Sequence, residues 1–107
     1  MSVLAVFKYD VKPGRMGDFL VKLQAAADPR FDSPVMPQSV RLFRSTAPGP
    51  DTGPVILIIE YADMAAYGAR TAFENAKPEW RKLFASEPES PKTLLSVELL
   101  TSLDPSG

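Results

Sequence analysis

Val55-Ile56-Leu57-Ile58-Ile59 is the most apolar run in the chain, and the turn-forming stretch Pro48-Gly49-Pro50-Asp51-Thr52-Gly53-Pro54 precedes it. Five β-branched and aliphatic residues between turns are too few for a helix and offer no polar face to solvent, so the run reads as a central strand buried on both sides. Toward the C-terminus, Asp63 is placed to cap a helix in which Ala66, Ala69, Phe73 and Ala76 recur at helical spacing. Lys77-Pro78 ends that helix, and Pro78 suits the first position of a short one over Glu79 to Ala85, with Trp80, Leu83 and Phe84 on one side. After Glu87-Pro88-Glu89-Ser90-Pro91, a last strand is expected over Thr93 to Leu103, with Leu95, Val97 and Leu99 facing one way and Leu94, Ser96, Glu98 and Leu100 the other. Toward the N-terminus, Gln38 to Thr46 alternates as a strand. The segment Pro29 to Pro37 carries three prolines and no periodicity, which predicts a loop. Met16, Phe19, Leu20, Leu23 and Ala27 mark an amphipathic helix, and Val3 to Val11 a first strand that ends at Lys12-Pro13-Gly14.

The order β-α-β-β-α-β closes a four-stranded antiparallel sheet with its helices on one face, a ferredoxin-like α+β fold in a single domain over residues 1–107. The first strand is apolar at both parities: Val3, Ala5, Phe7 and Tyr9 on one face, Leu4 and Val6 on the other. Helices on one side cover one face, so the other is expected to be hidden by a second copy of the chain in a sheet-to-sheet homodimer.

The chain has no Cys and no His, which excludes disulfide scaffolds, thiolate nucleophiles, Cys/His zinc sites, Ser-His triads and histidine-ligated haem. Acid-base chemistry falls to Asp, Glu, Lys or Tyr. A net charge of −1 provides no electrostatic footprint for nucleic acid or anionic membrane. No run reaches the ~18 apolar residues of a membrane span, and Met1 to Lys8 lacks the length of a signal peptide, so a cytoplasmic location is expected. Neither Asp10 with Asp18 nor Glu87 with Glu89 has metal-ligand spacing, and the single glycine of Lys12-Pro13-Gly14-Arg15 makes no phosphate loop. No metal and no cofactor is called for.

Tyr9-Asp10-Val11-Lys12-Pro13-Gly14-Arg15 resembles the first strand-to-helix junction of NIPSNAP-like and antibiotic-biosynthesis-monooxygenase-like domains of the dimeric α+β barrel superfamily. Ile59-Glu60-Tyr61-Ala62-Asp63 is similar to their later strand-to-helix junction, and Asn75 to Leu83, with Pro78 and Trp80, to their second helical region. The resemblance implies a ferredoxin-like protomer, a face-to-face dimer, and a cavity between sheet and helices or within the barrel. It also implies a choice of activities, since the superfamily holds cofactor-independent oxygenases, haem-degrading enzymes, haem-binding peroxidases, isomerases, ligand sensors and stress proteins. Haem-binding members typically use an axial histidine, which this chain lacks.

Two functional readings follow. The first is a NIPSNAP-like ligand-binding or structural module; the second is a cofactor-independent monooxygenase or isomerase acting on a hydrophobic aromatic or polyketide-like molecule. For the second, the expected chemical groups are Glu98, Arg41 and Tyr9, with Trp80, Tyr61, Tyr67 and Glu60 as pocket walls. Arg41 and Arg44 have opposite parity relations to the sheet, so one arginine faces inward to pair with Glu98 or Glu60 or to clamp an anion, unless both decorate an edge strand. Glu98 interrupts an apolar strand, either as an interface ion pair or as a general base. For the tyrosines and Trp80 the competing reading is core packing.

Overall fold

The computed structural model describes residues 2–46, 53–85 and 90–103. Strand β1 (Val3–Val11) turns at Lys12-Pro13-Gly14, where Gly14 takes a φ of 74° that other residues resist, and the Arg15 amide donates to the Lys12 carbonyl at 3.0 Å. Helix α1 (Met16–Ala26) follows, then strands β2 (Ser39–Arg44) and β3 (Val55–Tyr61), helices α2 (Met64–Asn75) and α3 (Pro78–Leu83), and strand β4 (Lys92–Thr101). The sheet order is β2-β3-β1-β4, all neighbours antiparallel, which is the expected ferredoxin-like α+β arrangement. The turn read over 48–54 lies outside the described residues up to Thr52, as does the Glu87-Pro88-Glu89 connection.

Register assigns the two faces. On the helix-covered face Tyr9 pairs with Val55, Phe7 with Leu57, Ala5 with Ile59 and Val3 with Tyr61. Phe19 of α1 inserts over them to form a core of Tyr9, Phe19, Val55 and Leu57, with the Phe19 and Tyr9 rings 5.2 Å apart. Each buried ring or aliphatic side chain of this kind contributes about 1.5–3 kcal/mol by leaving water. The open face carries Leu4, Val6, Ile56, Ile58, Phe43 and Leu100 together with Arg41, Glu60 and Glu98.

Three local expectations are corrected. The stretch 29–37 is not featureless: Asp28 accepts from the Arg30 amide at 2.9 Å and starts a 3₁₀ turn over Pro29–Phe31, which drives Phe31 into the interior at 2% exposure. In β4 the register shifts between Lys8 and Tyr9, where Lys8 pairs with Ser96 but Tyr9 with Leu94. The extra residue, Leu95, makes a bulge that moves Leu94 and Lys92 onto the helix-covered face while Ser96, Glu98 and Leu100 stay on the open one. In α2 the expected stripe holds only in part: Ala66 and Phe73 are half-buried but Ala69 and Ala76 are exposed, and the inward side centres on buried Arg70 with Tyr67, Thr71 and Glu74, spaced i, i+3, i+4, i+7. Asp63 does cap this helix, accepting from the Ala66 amide at 2.8 Å. Among the described residues no helix is long and apolar enough to cross a membrane.

Candidate functional site

A polar side turned inward on α2 is costly unless its groups are satisfied or face a cavity, and here both conditions hold. Arg70, 3% exposed, donates from Nη1 to the Phe31 carbonyl at 2.6 Å and to Ser33 Oγ at 3.1 Å, and from Nε to Glu74 Oε2 at 2.9 Å. Its guanidinium also lies 4.9 Å from the Phe73 ring centroid and 5.4 Å from that of Trp80. Arg70 thus pins the 3₁₀ turn and holds the Glu74 carboxylate in one place.

Glu74 borders a cavity of about 280 Å³ between sheet and helices, walled by Phe7, Leu57, Ile59, Trp80, Phe84 and Leu94. Tyr61, Tyr67, Thr71 and Asn75 join Glu74 at its lining, and Tyr9 and Lys92 complete it. The register separates the polar groups into two ends. Tyr61 pairs with Val3 while Lys92 pairs with Val11, eight residues further along β1, or roughly 26 Å of strand at ~3.3 Å per residue. At the first end the Tyr61 and Tyr67 rings meet edge-on at 5.3 Å. At the second, Lys92 Nζ donates to the Phe84 carbonyl at 3.2 Å and sits 5.8 Å from the centre of the Tyr9 ring. Trp80 is edge-on to Phe31 at 5.2 Å, so it is both packed and part of the wall. Lys22 of α1 donates to the Leu83 carbonyl at 3.0 Å, tying α1 to α3.

Burial dominates the electrostatics. It pushes the Tyr9 phenol up to about 12. Tyr61 also rises to about 12, by burial and then by the neighbouring Glu74, with Arg70 opposing. The Glu74 carboxyl is held above the usual carboxylate range by burial, against the pull of Arg70. Lys92 is lowered, first by burial and then by the charge of Lys22.

The residues expected to share one pocket therefore divide. Tyr9, Tyr61, Tyr67 and Trp80 line the cavity. Glu98, Arg41 and Glu60 do not: strand alternation from their partners Val6, Ile58 and Leu4 puts all three on the open face, where Arg41 and Glu98 are exposed and Glu60 accepts from Ser39 Oγ at 3.3 Å. Arg44 is the arginine on the helix-covered side, at the far end of β2, bordering a separate surface depression near Lys12 and Gly14. Glu74, Arg70, Thr71 and Lys92 are the polar groups that sequence reading passed over.

The fold and cavity define a class: a ferredoxin-like α+β domain with a cavity of about 280 Å³ between its sheet and its helices. The NIPSNAP family model matches residues 5–99, and the chain belongs to that family. No curated protein matches it. Among solved structures it is similar to Rv0793 of Mycobacterium tuberculosis, at 18% identity and a TM-score of 0.64 with 100% of each chain covered. An antibiotic-biosynthesis-monooxygenase-like protein of Bordetella bronchiseptica is 22% identical, with a TM-score of 0.64 over 95% of this chain and 97% of that one. An uncharacterised NIPSNAP-like domain protein of Burkholderia xenovorans is 20% identical, with a TM-score of 0.63 over 97% and 89%. At such identities these likenesses establish the fold.

Proposed function

We propose that the chain is a ligand-binding module that works as a homodimer, with its cavity holding a small, largely apolar, ring-bearing molecule and its open sheet face binding a second copy. The observation that carries the ligand reading is the inward polar face of α2, Tyr67-Arg70-Thr71-Glu74, set over apolar walls. Apolar walls with a few fixed polar groups are the usual make-up of a small-molecule site, and about 280 Å³ suits one or two rings. A helix that served packing alone would turn its alanines inward.

Support for self-association comes from one row across the open face. Glu98 pairs with Val6, Val6 with Ile58, and Ile58 with Arg41, so an acid and a base end a row with two aliphatics between them. Three strand spacings put their Cα atoms about 14 Å apart. A two-fold axis parallel to the strands through the middle of this row lays Arg41 over the partner's Glu98 and Glu98 over the partner's Arg41, with Val6 and Ile58 stacked between. Leu4, Ile56, Phe43 and Leu100 extend the apolar part.

The test is native mass spectrometry of the freshly purified chain, with its emission from Trp80 followed against bicyclic aromatic probes. A dimer that carries a releasable small molecule, or that binds a probe with a change in Trp80 emission, is expected. A bare monomer whose emission no probe alters would overturn the proposal.

A second reading, cofactor-independent oxygenation or isomerisation of an aromatic or polyketide-like molecule, is favoured by Glu74. A buried carboxyl held above its ordinary range, beside Tyr61 and Asn75, is suited to take a proton from an acidic position of a bound ring. On this reading Glu74→Gln keeps probe binding and removes dioxygen uptake measured with an oxygen electrode.

A further inference from the structure

Burying a cation without a counter-ion is expensive, because a lone ammonium gives up its hydration and recovers little of it from neutral dipoles. Lys92 is in that position. It is 5% exposed and lines the cavity, and its ammonium has one protein acceptor, the Phe84 carbonyl at 3.2 Å, with the Tyr9 ring at 5.8 Å. Among the described residues no carboxylate pairs with it. The charge that acts on it is another cation, Lys22, which adds to the effect of burial. The acid of the cavity, Glu74, is already paired with Arg70 at 2.9 Å, and its charge acts on Tyr61 and not on Lys92.

We infer that the cavity takes an anionic ligand, a ring-bearing acid whose carboxylate or phenolate pairs with Lys92 while its apolar body lies along Phe7, Leu57, Trp80 and Leu94. The inference rests on the proposed ligand-binding role of the cavity and adds the charge of the ligand and the residue that reads it. An acid entering this site supplies the counter-ion that Lys92 does not find among the described residues, and a charge-assisted hydrogen bond forms away from bulk water. The lowered proton affinity of Lys92 agrees, since it records an ammonium that its surroundings do not compensate. The bulge at Leu95 has a role in this, because without it Lys92 would lie on the open face.

The experiment compares 2-naphthoate with its neutral counterpart 2-naphthamide, titrated against Trp80 emission in the full chain and in Lys92→Met and Lys92→Gln. In the natural chain the acid should bind at least about tenfold more tightly than the amide, the usual effect of a hydrogen bond to a charged group. In both variants that preference should vanish while the amide binds within about threefold of its original affinity. Equal binding of acid and amide by the natural chain, or a preference that persists in a folded variant, overturns the role of Lys92 and leaves the cavity as a site for neutral molecules. Failure of both probes to bind the natural chain overturns the ligand-binding reading as well.

Discussion

Arg70→Met is the substitution that tests most severely how the site is held. Arg70 is 3% exposed, and its removal deletes the donors to the Phe31 carbonyl at 2.6 Å, to Ser33 Oγ at 3.1 Å and to Glu74 Oε2 at 2.9 Å, leaving a carboxylate and a carbonyl without their partner in a part-dry interior. Breaking one side of a buried ion pair costs about 3–5 kcal/mol, against a total of about 5–15 kcal/mol for a folded domain. At ~4 °C or more per kcal/mol, the melting temperature should fall by at least about 12 °C. The loss has a pH signature. Without Arg70 the folded-state carboxyl of Glu74, already raised above its ordinary value by burial, rises further. The folded state then holds a proton that the unfolded state has released, so the variant loses stability as pH rises through that window and its deficit is smaller in mild acid than above neutrality. Urea unfolding followed by Trp80 emission measures both effects. Arg70→Met/Glu74→Leu should recover about 1–2 kcal/mol of the loss, because no orphan charge is left behind. A deficit for Arg70→Met below about 1 kcal/mol, the scale of an exposed ion pair, would refute the staple.

Two further outcomes follow from the open face and the buried phenols. In sedimentation equilibrium Glu98→Arg and Arg41→Glu should each weaken the proposed dimer by about 1–2 kcal/mol, since the proposed two-fold axis would make every substitution count twice at ~0.2–1 kcal/mol per pair plus the new like-charge contact. The combined swap should restore dimerisation, and a swap no better than the single changes would contradict the facing rows. In a spectrophotometric titration of tyrosinate, Tyr9 and Tyr61 should stay protonated until about pH 12, whereas the urea-unfolded chain ionises all three tyrosines near the ordinary value of ~10. Because these folded-state values are raised, stability should fall as pH climbs from about 10 to 12. Full ionisation of the folded chain near pH 10 would contradict the burial of both rings.

Strand and helix order was legible because proline and glycine punctuate the chain and because Val3–Val11 and Val55–Tyr61 are apolar at both parities, which forces a sheet buried on one face and sticky on the other. Parity also grouped Tyr9 with Val3, Ala5 and Phe7, the set whose register partners Val55, Tyr61, Ile59 and Leu57 lie on the helix-covered face. What parity could not carry was any residue beyond an irregularity. Lys92 shares the parity of Glu98 in the sequence but faces the opposite way, because one bulge at Leu95 lies between them. Arg41 and Arg44 were separable only through the register of β2 on β3, which pairs Arg41 with Ile58 and Arg44 with Val55. The inward side of α2 was open to a better reading. Tyr67, Arg70, Thr71 and Glu74 also recur at helical spacing, but hydrophobicity favoured Ala66, Ala69, Phe73 and Ala76, of which only Ala66 and Phe73 are half-buried. The i, i+4 Arg70–Glu74 pair on that side was the available signal. Polar residues turned inward break local rules where a site needs them.

The central claim is a division of labour between faces, with ligand under the helices and a second copy against the open sheet. Mapping amide and methyl chemical shifts as 2-naphthoate is titrated into the protein tests it directly. The changes should cluster at Phe7, Tyr9, Leu57, Trp80, Lys92 and Leu94, with Val6, Arg41 and Ile58 unmoved. Shifts centred on Val6, Ile58 and Arg41 instead would contradict the account, because they would put the ligand on the face proposed to meet a second copy.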